Sequence, residues 1–174
     1  GPAISSSEMA RAGIGAPIAI GSHPGILEAS AETDVSVYIN EILDDATTST
    51  EAERAADPDA GNGQAITLVF DPKIYLISQS IVFPSSVTVG HVPGADLKIV
   101  KPTGADPCSV TFHGGFKSSG GVINESSEAD SDLVFNGSFE HPGGRAFKEI
   151  ITTPNTDEMV IFGLGAVDQI DATL

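Results

Sequence analysis

Residues 66–100, ITLVFDPKIYLISQSIVFPSSVTVGHVPGADLKIV, carry short runs of β-branched and aromatic residues. The runs are cut at close intervals by Asp71-Pro72-Lys73, Pro84-Ser85-Ser86 and Val92-Pro93-Gly94-Ala95. Pro and Gly end strands because one lacks an N–H and the other packs nothing, so each run reads as one strand. Leu76-Ile77 and Ile81-Val82-Phe83 are apolar at consecutive positions, as in strands covered on both faces. Asn136-Gly137 is the one clear tight-hairpin dipeptide, and it interrupts a run rather than joining two long ones.

Further along, apolar runs open at Ile66, Val87, Val110, Leu133 and Met159, at intervals of 21, 23, 23 and 26 residues. A recurring interval in the low twenties marks a stacked repeat, in which each unit buries its apolar face only against its neighbours. The expected fold is all-β, a short parallel coil. An antiparallel β-sandwich, which also has short strands and frequent turns, is the alternative.

Upstream, Thr33 or Asp34 can cap a helix whose stripe is Val35, Tyr38, Ile39, Ile42 and Leu43. Residues 47–65 are polar and Gly-rich and predict a loop, with one helical turn at Thr50–Ala56. Residues 1–30 are rich in Ala, Gly, Ser and Pro and read as an extended arm. Ile14, Ile18, Ile20, Ile26 and Leu27 are too many for a pure solvent tail, so the arm is expected to dock on a partner; a loose terminus is the other reading. The division is an arm over 1–30, a capping helix and polar loop over 31–65, and β coils over 66–174. Gly1-Pro2 stands where an initiator Met would, as a cleavage scar or a processed end, and no signal peptide is legible.

The chain has 174 residues, 40% of them hydrophobic, enough for one domain with a real core. Its 19 Gly and 11 Pro demand many turns. Eight basic residues against 24 acidic ones give a net charge of −16, a field that repels nucleic acid and anionic membranes. The ordinary reading is a solvated acidic surface; adaptation to saline water or cation binding is the sharper one. No apolar stretch approaches the ~20 residues of a membrane span. Cys108 is the single cysteine, which excludes an internal disulfide and suits a small buried apolar group.

The helix, the Gly-rich loop and then LVFDPKIYLISQSIVFPSSVTVGHVPGADLKI together resemble the entry segment of pectate-lyase-like right-handed parallel β-helices, the type carried by bacteriophage tailspikes, tail fibres and virion-decoration proteins. In that family a helix caps the coil, here Asp34 to Leu43. Phe70-Asp71-Pro72-Lys73-Ile74-Tyr75-Leu76-Ile77 is similar to its "fP-x-G-x-Y-x-I" turn, with Ile74 in place of the usual Gly. Ser80-Ile81-Val82-Phe83-Pro84-Ser85-Ser86-Val87-Thr88-Val89-Gly90 is similar to its next strand and turn. The resemblance covers about residues 33–100. It implies a homotrimer and a structural virion role: a capsid-decoration, head-fibre or tail-fibre subunit in the extracellular particle, anchored through its arm to other virion proteins. It also leaves open contact with a host-surface glycan.

Chemistry is weaker than architecture in this sequence. Polysaccharide cleavage needs paired carboxylates that divide acid and base roles. Glu125, Glu128, Asp130 and Asp132 supply carboxylates; a solvated turn explains them, and Glu128, Asp130 and Asp132 are the candidates for a weak Ca²⁺ site. Phe139-Glu140-His141-Pro142-Gly143-Gly144-Arg145 offers Glu140 and His141 as an acid/base pair, against a tight turn with a Glu140–Arg145 pair. Phe112, His113 and Phe116 form an aromatic-flanked turn, either a sugar-stacking patch or a loop at a subunit contact. The four His residues lack metal-ligand spacing, and no phosphate loop or nucleophile elbow occurs, so no cofactor is expected. A polysaccharide depolymerase and a carbohydrate-binding module remain the alternatives to a scaffold.

Overall fold

The computed structural model describes residues 16–100, 108–125, 132–140, 151–152 and 159–162. These residues are mostly β, with parallel sheets and three helices. The strands are β1 (Ile18–Ala19), β2 (Ile66–Phe70), β3 (Ile74–Ile77), β4 (Ile81–Phe83), β5 (Val87–His91), β6 (Asp96–Ile99), β7 (Ser109–Phe112), β8 (Phe116–Ser118), β9 (Val122–Glu125), β10 (Asp132–Phe135), β11 (Phe139–Glu140), β12 (Ile151–Thr152) and β13 (Met159–Phe162). The helices are α1 (Pro24–Leu27), α2 (Ser36–Thr47) and α3 (Glu51–Ala56).

From β2 onward the chain visits three sheets in strict rotation. Sheet one is ordered β1-β2-β5-β8-β11, sheet two β3-β6-β9-β12 and sheet three β4-β7-β10-β13. Every pairing between these strands is parallel. That excludes the antiparallel sandwich for the described residues. Asn136-Gly137 is accordingly a corner between sheets three and one, not a hairpin.

The interval read from the sequence mixes two series. Ile66 pairs with Val87 in sheet one, whereas Val110, Leu133 and Val160 align in sheet three. The step from Val87 to Val110 therefore crosses between sheets. Within sheet one, Val89 aligns with Phe116 and Phe116 with Phe139.

Alternation sorts the side chains: β2 and β5 both run buried, half-buried, buried along their length. The inward residues stack on like residues in the next round. Phe83, Phe112 and Phe135 form one stack and Phe116 with Phe139 another. Cys108 is buried in the same core. The consecutive apolar residues of β4 have the cause expected, cover on both faces: Ile81 and Phe83 are buried in the core, and Val82, between them, faces the helices that cover sheet three.

A cap closes the N-terminal end, where unpaired strand edges would otherwise be exposed. β1 extends sheet one, with Ile18 opposite Leu68. Asp34 bridges Leu76 of sheet two, and the Val35 N–H donates to the Leu76 carbonyl at 2.9 Å. Helices α2 and α3 pack on β4. As expected, Val35, Ile39 and Leu43 are buried along one stripe of α2, with Tyr38 and Ile42 packed beside them. The helical turn expected near Thr50 is α3, held by a full capping box between Thr50 and Glu53.

The arm reading needs correction from residue 16 onward. Ile20 and Ile26 are fully buried in this chain's own core and Ile18 packs against it, so none of the three is offered to a partner. Of the described apolar candidates Ile18, Ile20, Ile26 and Leu27, Leu27 alone is exposed, at 68%. Ile14 lies outside the described residues.

Candidate functional site

Of the sequence-predicted residues, Phe112 and Phe116 are placed where they cannot serve. Both rings are in the core, 4.8 Å apart between centroids. A sugar approaching from solvent cannot stack on them, which corrects the reading of this turn as a sugar platform. His113 is half-exposed at the corner they flank. Glu140 is exposed on sheet one and in register with Lys117, one strand away, an arrangement that suits opposite charges. His141, Glu128 and Asp130 lie outside the described residues; Asp132 opens β10 in register with Ser109. No group of three or more His, Cys, Asp or Glu is placed to hold a metal ion among the described residues.

Around His113 the structure gathers residues that are distant in sequence. Asn136 Nδ2 lies 3.2 Å from His113 Nδ1 and, as an amide N–H, donates to it. In the neutral ring the proton then sits on Nε2. Burial lowers the His113 pKa, and the Asp59 charge opposes that shift. Ser85 Oγ donates to Asp59 Oδ1 at 2.5 Å. The hydroxyl is thus engaged by the carboxylate rather than by the imidazole, which is not the pairing that activates a nucleophile. These contacts, with the Ser85 N–H on the Pro58 carbonyl, dock the loop after α3 onto a corner of the stack.

The richer constellation lies in the cap, in a stretch whose sequence read mainly as loop. The capping box fixes α3 so that Arg54 turns inward, where its side chain is 1% exposed. Nη1 donates to the Ser49 carbonyl at 2.8 Å and to Ser49 Oγ at 3.2 Å. Nη2 pairs with Asp44 Oδ1 at 2.8 Å and reaches Asn40 Oδ1 at 3.3 Å. A buried guanidinium is tolerated only when paired and hydrogen-bonded, and these contacts supply both. Among the described residues, two buried donors of this network have no partner, Arg54 Nε and Asn40 Nδ2. Both side chains line a cleft of about 300 Å³ between α2, α3 and β4. The Thr50-x-x-Glu53 spacing was the available signal for α3; nothing local marks Asn40, which meets Arg54 only through the fold.

Two further polar groups anchor the frame. Asp34 Oδ1 accepts from the Ser36 N–H at 3.0 Å, the Ser36 hydroxyl at 2.6 Å and the Ser78 N–H at 3.3 Å. Burial pushes that carboxyl upward, but the Ser36 and Ser78 hydrogen bonds outweigh it, so its pKa lies below the usual value. This ties the start of α2 to the turn after β3. His91 is buried on β5, with Nε2 at 3.1 Å from the Val122 carbonyl and Nδ1 at 3.1 Å from Ser118 Oγ. A carbonyl only accepts, so Nε2 carries the proton and the neutral ring fits. Burial lowers its pKa to about 4, against the raising effects of the Val122 and Ala95 hydrogen bonds and of the Asp96 charge.

The chain matches no protein-family model, and neither a curated protein nor a solved structure is significantly similar to it.

Proposed function

We propose that the chain is a structural virion protein, a capsid-decoration, head-fibre or tail-fibre subunit, and that its rotating strands form a right-handed parallel β-helix. One observation carries this reading: parallel register is kept through all three sheets, and the N-terminal end of the stack is closed by a built cap. Such a stack grows by about 4.8 Å per round, the strand spacing, and transmits load along its axis through continuous hydrogen-bond ladders. The entry motif around Tyr75 supports the same reading. Its hydroxyl donates to the Asp71 carbonyl and to Asp71 Oδ1, each at 2.7 Å, while Asp71 Oδ1 also accepts from the Gly21 N–H at 2.7 Å. The first turn and the cap are therefore fastened at one carboxylate.

Anchoring to other virion proteins falls to residues 1–15, since the rest of the proposed arm belongs to the cap. The assembled form is a homotrimer, and the net charge of −16 disfavours nucleic acid and anionic membrane as partners. The test is sedimentation of particles of the virus that encodes the chain. The protein should band with intact particles and withstand washing; its presence only in the unassembled fraction contradicts the reading.

The enzymatic alternative is a polysaccharide depolymerase using exposed Glu140. A reducing-end assay across acidic polysaccharides decides it: turnover lost in Glu140→Gln supports cleavage, and turnover on none of them removes it.

A further inference from the structure

We propose that Asn62-Gly63, in the loop between α3 and β2, is a self-modifying site, where the Asn62 side-chain amide is lost and the residue becomes aspartate or isoaspartate. The inference goes beyond the scaffold role and does not depend on it.

The reaction joins the side-chain amide carbon to the backbone nitrogen of the next residue. That nitrogen must be open to solvent and free to lose its proton. Glycine obstructs it least, having no Cβ. Asn62 and Gly63 are both exposed. Gly63 has φ at +74°, and beyond its chain neighbours no atom stands within 4 Å of where a Cβ would lie. Among the described residues its N–H donates no hydrogen bond.

The side chain is already oriented. Asn62 Nδ2 donates to Thr48 Oγ1 at 3.3 Å, and Oδ1 accepts from the Gln64 N–H at 3.1 Å. Attack on Cγ places negative charge on Oδ1, and the Gln64 N–H is a donor in place to receive it.

The atoms balance. Hydroxide takes the Gly63 amide proton, the bond from Gly63 N to Cγ forms, and the bond from Cγ to Nδ2 breaks. Nδ2 leaves as ammonia with a proton from water, and a succinimide ring remains. Water then opens either ring carbonyl, giving aspartate or isoaspartate. One water is consumed and nothing is oxidised or reduced. Each event adds a negative charge. Isoaspartate also adds a methylene to the main chain between β2 and the Asn62 N–H, which is tied to the Thr47 carbonyl at 2.9 Å. The site thus alters the join between the cap and the first long strand.

A second Asn-Gly, at Asn136-Gly137, is an internal control. There the Gly137 N–H donates to the Phe112 carbonyl at 3.3 Å, and Gly137 packs on the Gly114 backbone with no room for a Cβ. Its nitrogen stays engaged until that corner opens.

The full chain is incubated in mildly alkaline buffer, folded and in urea. Peptide mass mapping with isoaspartyl methyltransferase labelling follows both sites. Each folded rate is divided by the same site's rate in urea, which removes the effect of flanking residues. The ratio at Asn62 should exceed that at Asn136 by about tenfold or more, the cost of opening the corner. Equal ratios, a larger ratio at Asn136, or an unchanged Asn62 while the unfolded chain converts overturns the inference.

Discussion

Phe83 and Phe112 stack across neighbouring strands of sheet three, ring centroids 4.8 Å apart and planes 12° from parallel. Phe135 continues the stack on the other side of Phe112 at 5.2 Å. The middle ring is thus covered on both faces, and its removal leaves a cavity that neither neighbour can fill. Phe112→Ala should cost about 3–5 kcal/mol, read as a lowered midpoint in urea. A loss below about 1 kcal/mol would place the ring at the surface.

Corners of the stack depend on glycine where two backbones approach. A Cβ on Gly114 would lie 1.9 Å from the Val87 carbonyl oxygen, and no rotamer change relieves a clash with backbone. Gly114→Ala should destabilise by about 1–3 kcal/mol or more. Gly90, on the outer face of β5, would place its Cβ 3.4 Å from Val69, in ordinary contact. Gly90→Ala should change stability by less than about 1 kcal/mol or raise it slightly. Thermal unfolding of the two variants side by side checks the contrast.

Acid should loosen the stack through His91. Its folded pKa of about 4 lies below the ordinary 6.5, so the unfolded chain takes up the proton first as pH falls. The neutral ring's contribution is whole above pH 6.5, declines between 6.5 and 4, and is gone below 4. The shift corresponds to about 3 kcal/mol. Asp34 acts in the same direction at lower pH, because its depressed pKa means that its contribution is lost as the carboxylate protonates. His91→Gln should flatten the stability profile between pH 6.5 and 4 in denaturant titrations at stepped pH. A slope unchanged in the variant would exclude His91 as its source.

Helix α2 ends on Thr48 with φ at +54°, the sole non-glycine residue in the left-handed region among those described. A β-branched residue is strained there, and glycine is not. Thr48→Gly should stabilise the cap by about 1 kcal/mol, less what is lost with the exposed Asn62–Thr48 hydrogen bond at 3.3 Å. Differential scanning calorimetry checks the sign.

Strand positions and the apolar stripe of α2 were legible because period-two and period-3.6 patterns are local properties. Assignment of strands to sheets was not: a run of Val and Ile looks the same in sheet one and sheet three, so Val87 and Val110 joined a single false series. Phe112 and Phe116 flank a Gly-rich turn and read as surface for that reason. The alternation Val110-Thr111-Phe112 already placed Phe112 on the inward side with Val110. Ile20 and Ile26 sit in a Gly- and Pro-rich context that signals an arm, and their burial depends on β1 pairing with a strand nearly fifty residues away. The Arg54 network was hidden for the same reason, since Asn40 and Arg54 meet only when α2 and α3 fold together.

Residues 1–15 decide the proposed anchoring most directly. Particles lacking the endogenous chain can be mixed with the full chain or with a chain beginning at Ala16, which retains β1 and the cap. The full chain is expected to band with particles on a density gradient. The shortened chain is expected to stay at the top while its circular dichroism spectrum is unchanged. Equal banding of the shortened chain would contradict anchoring through this segment, and failure of both to bind would contradict the virion role itself.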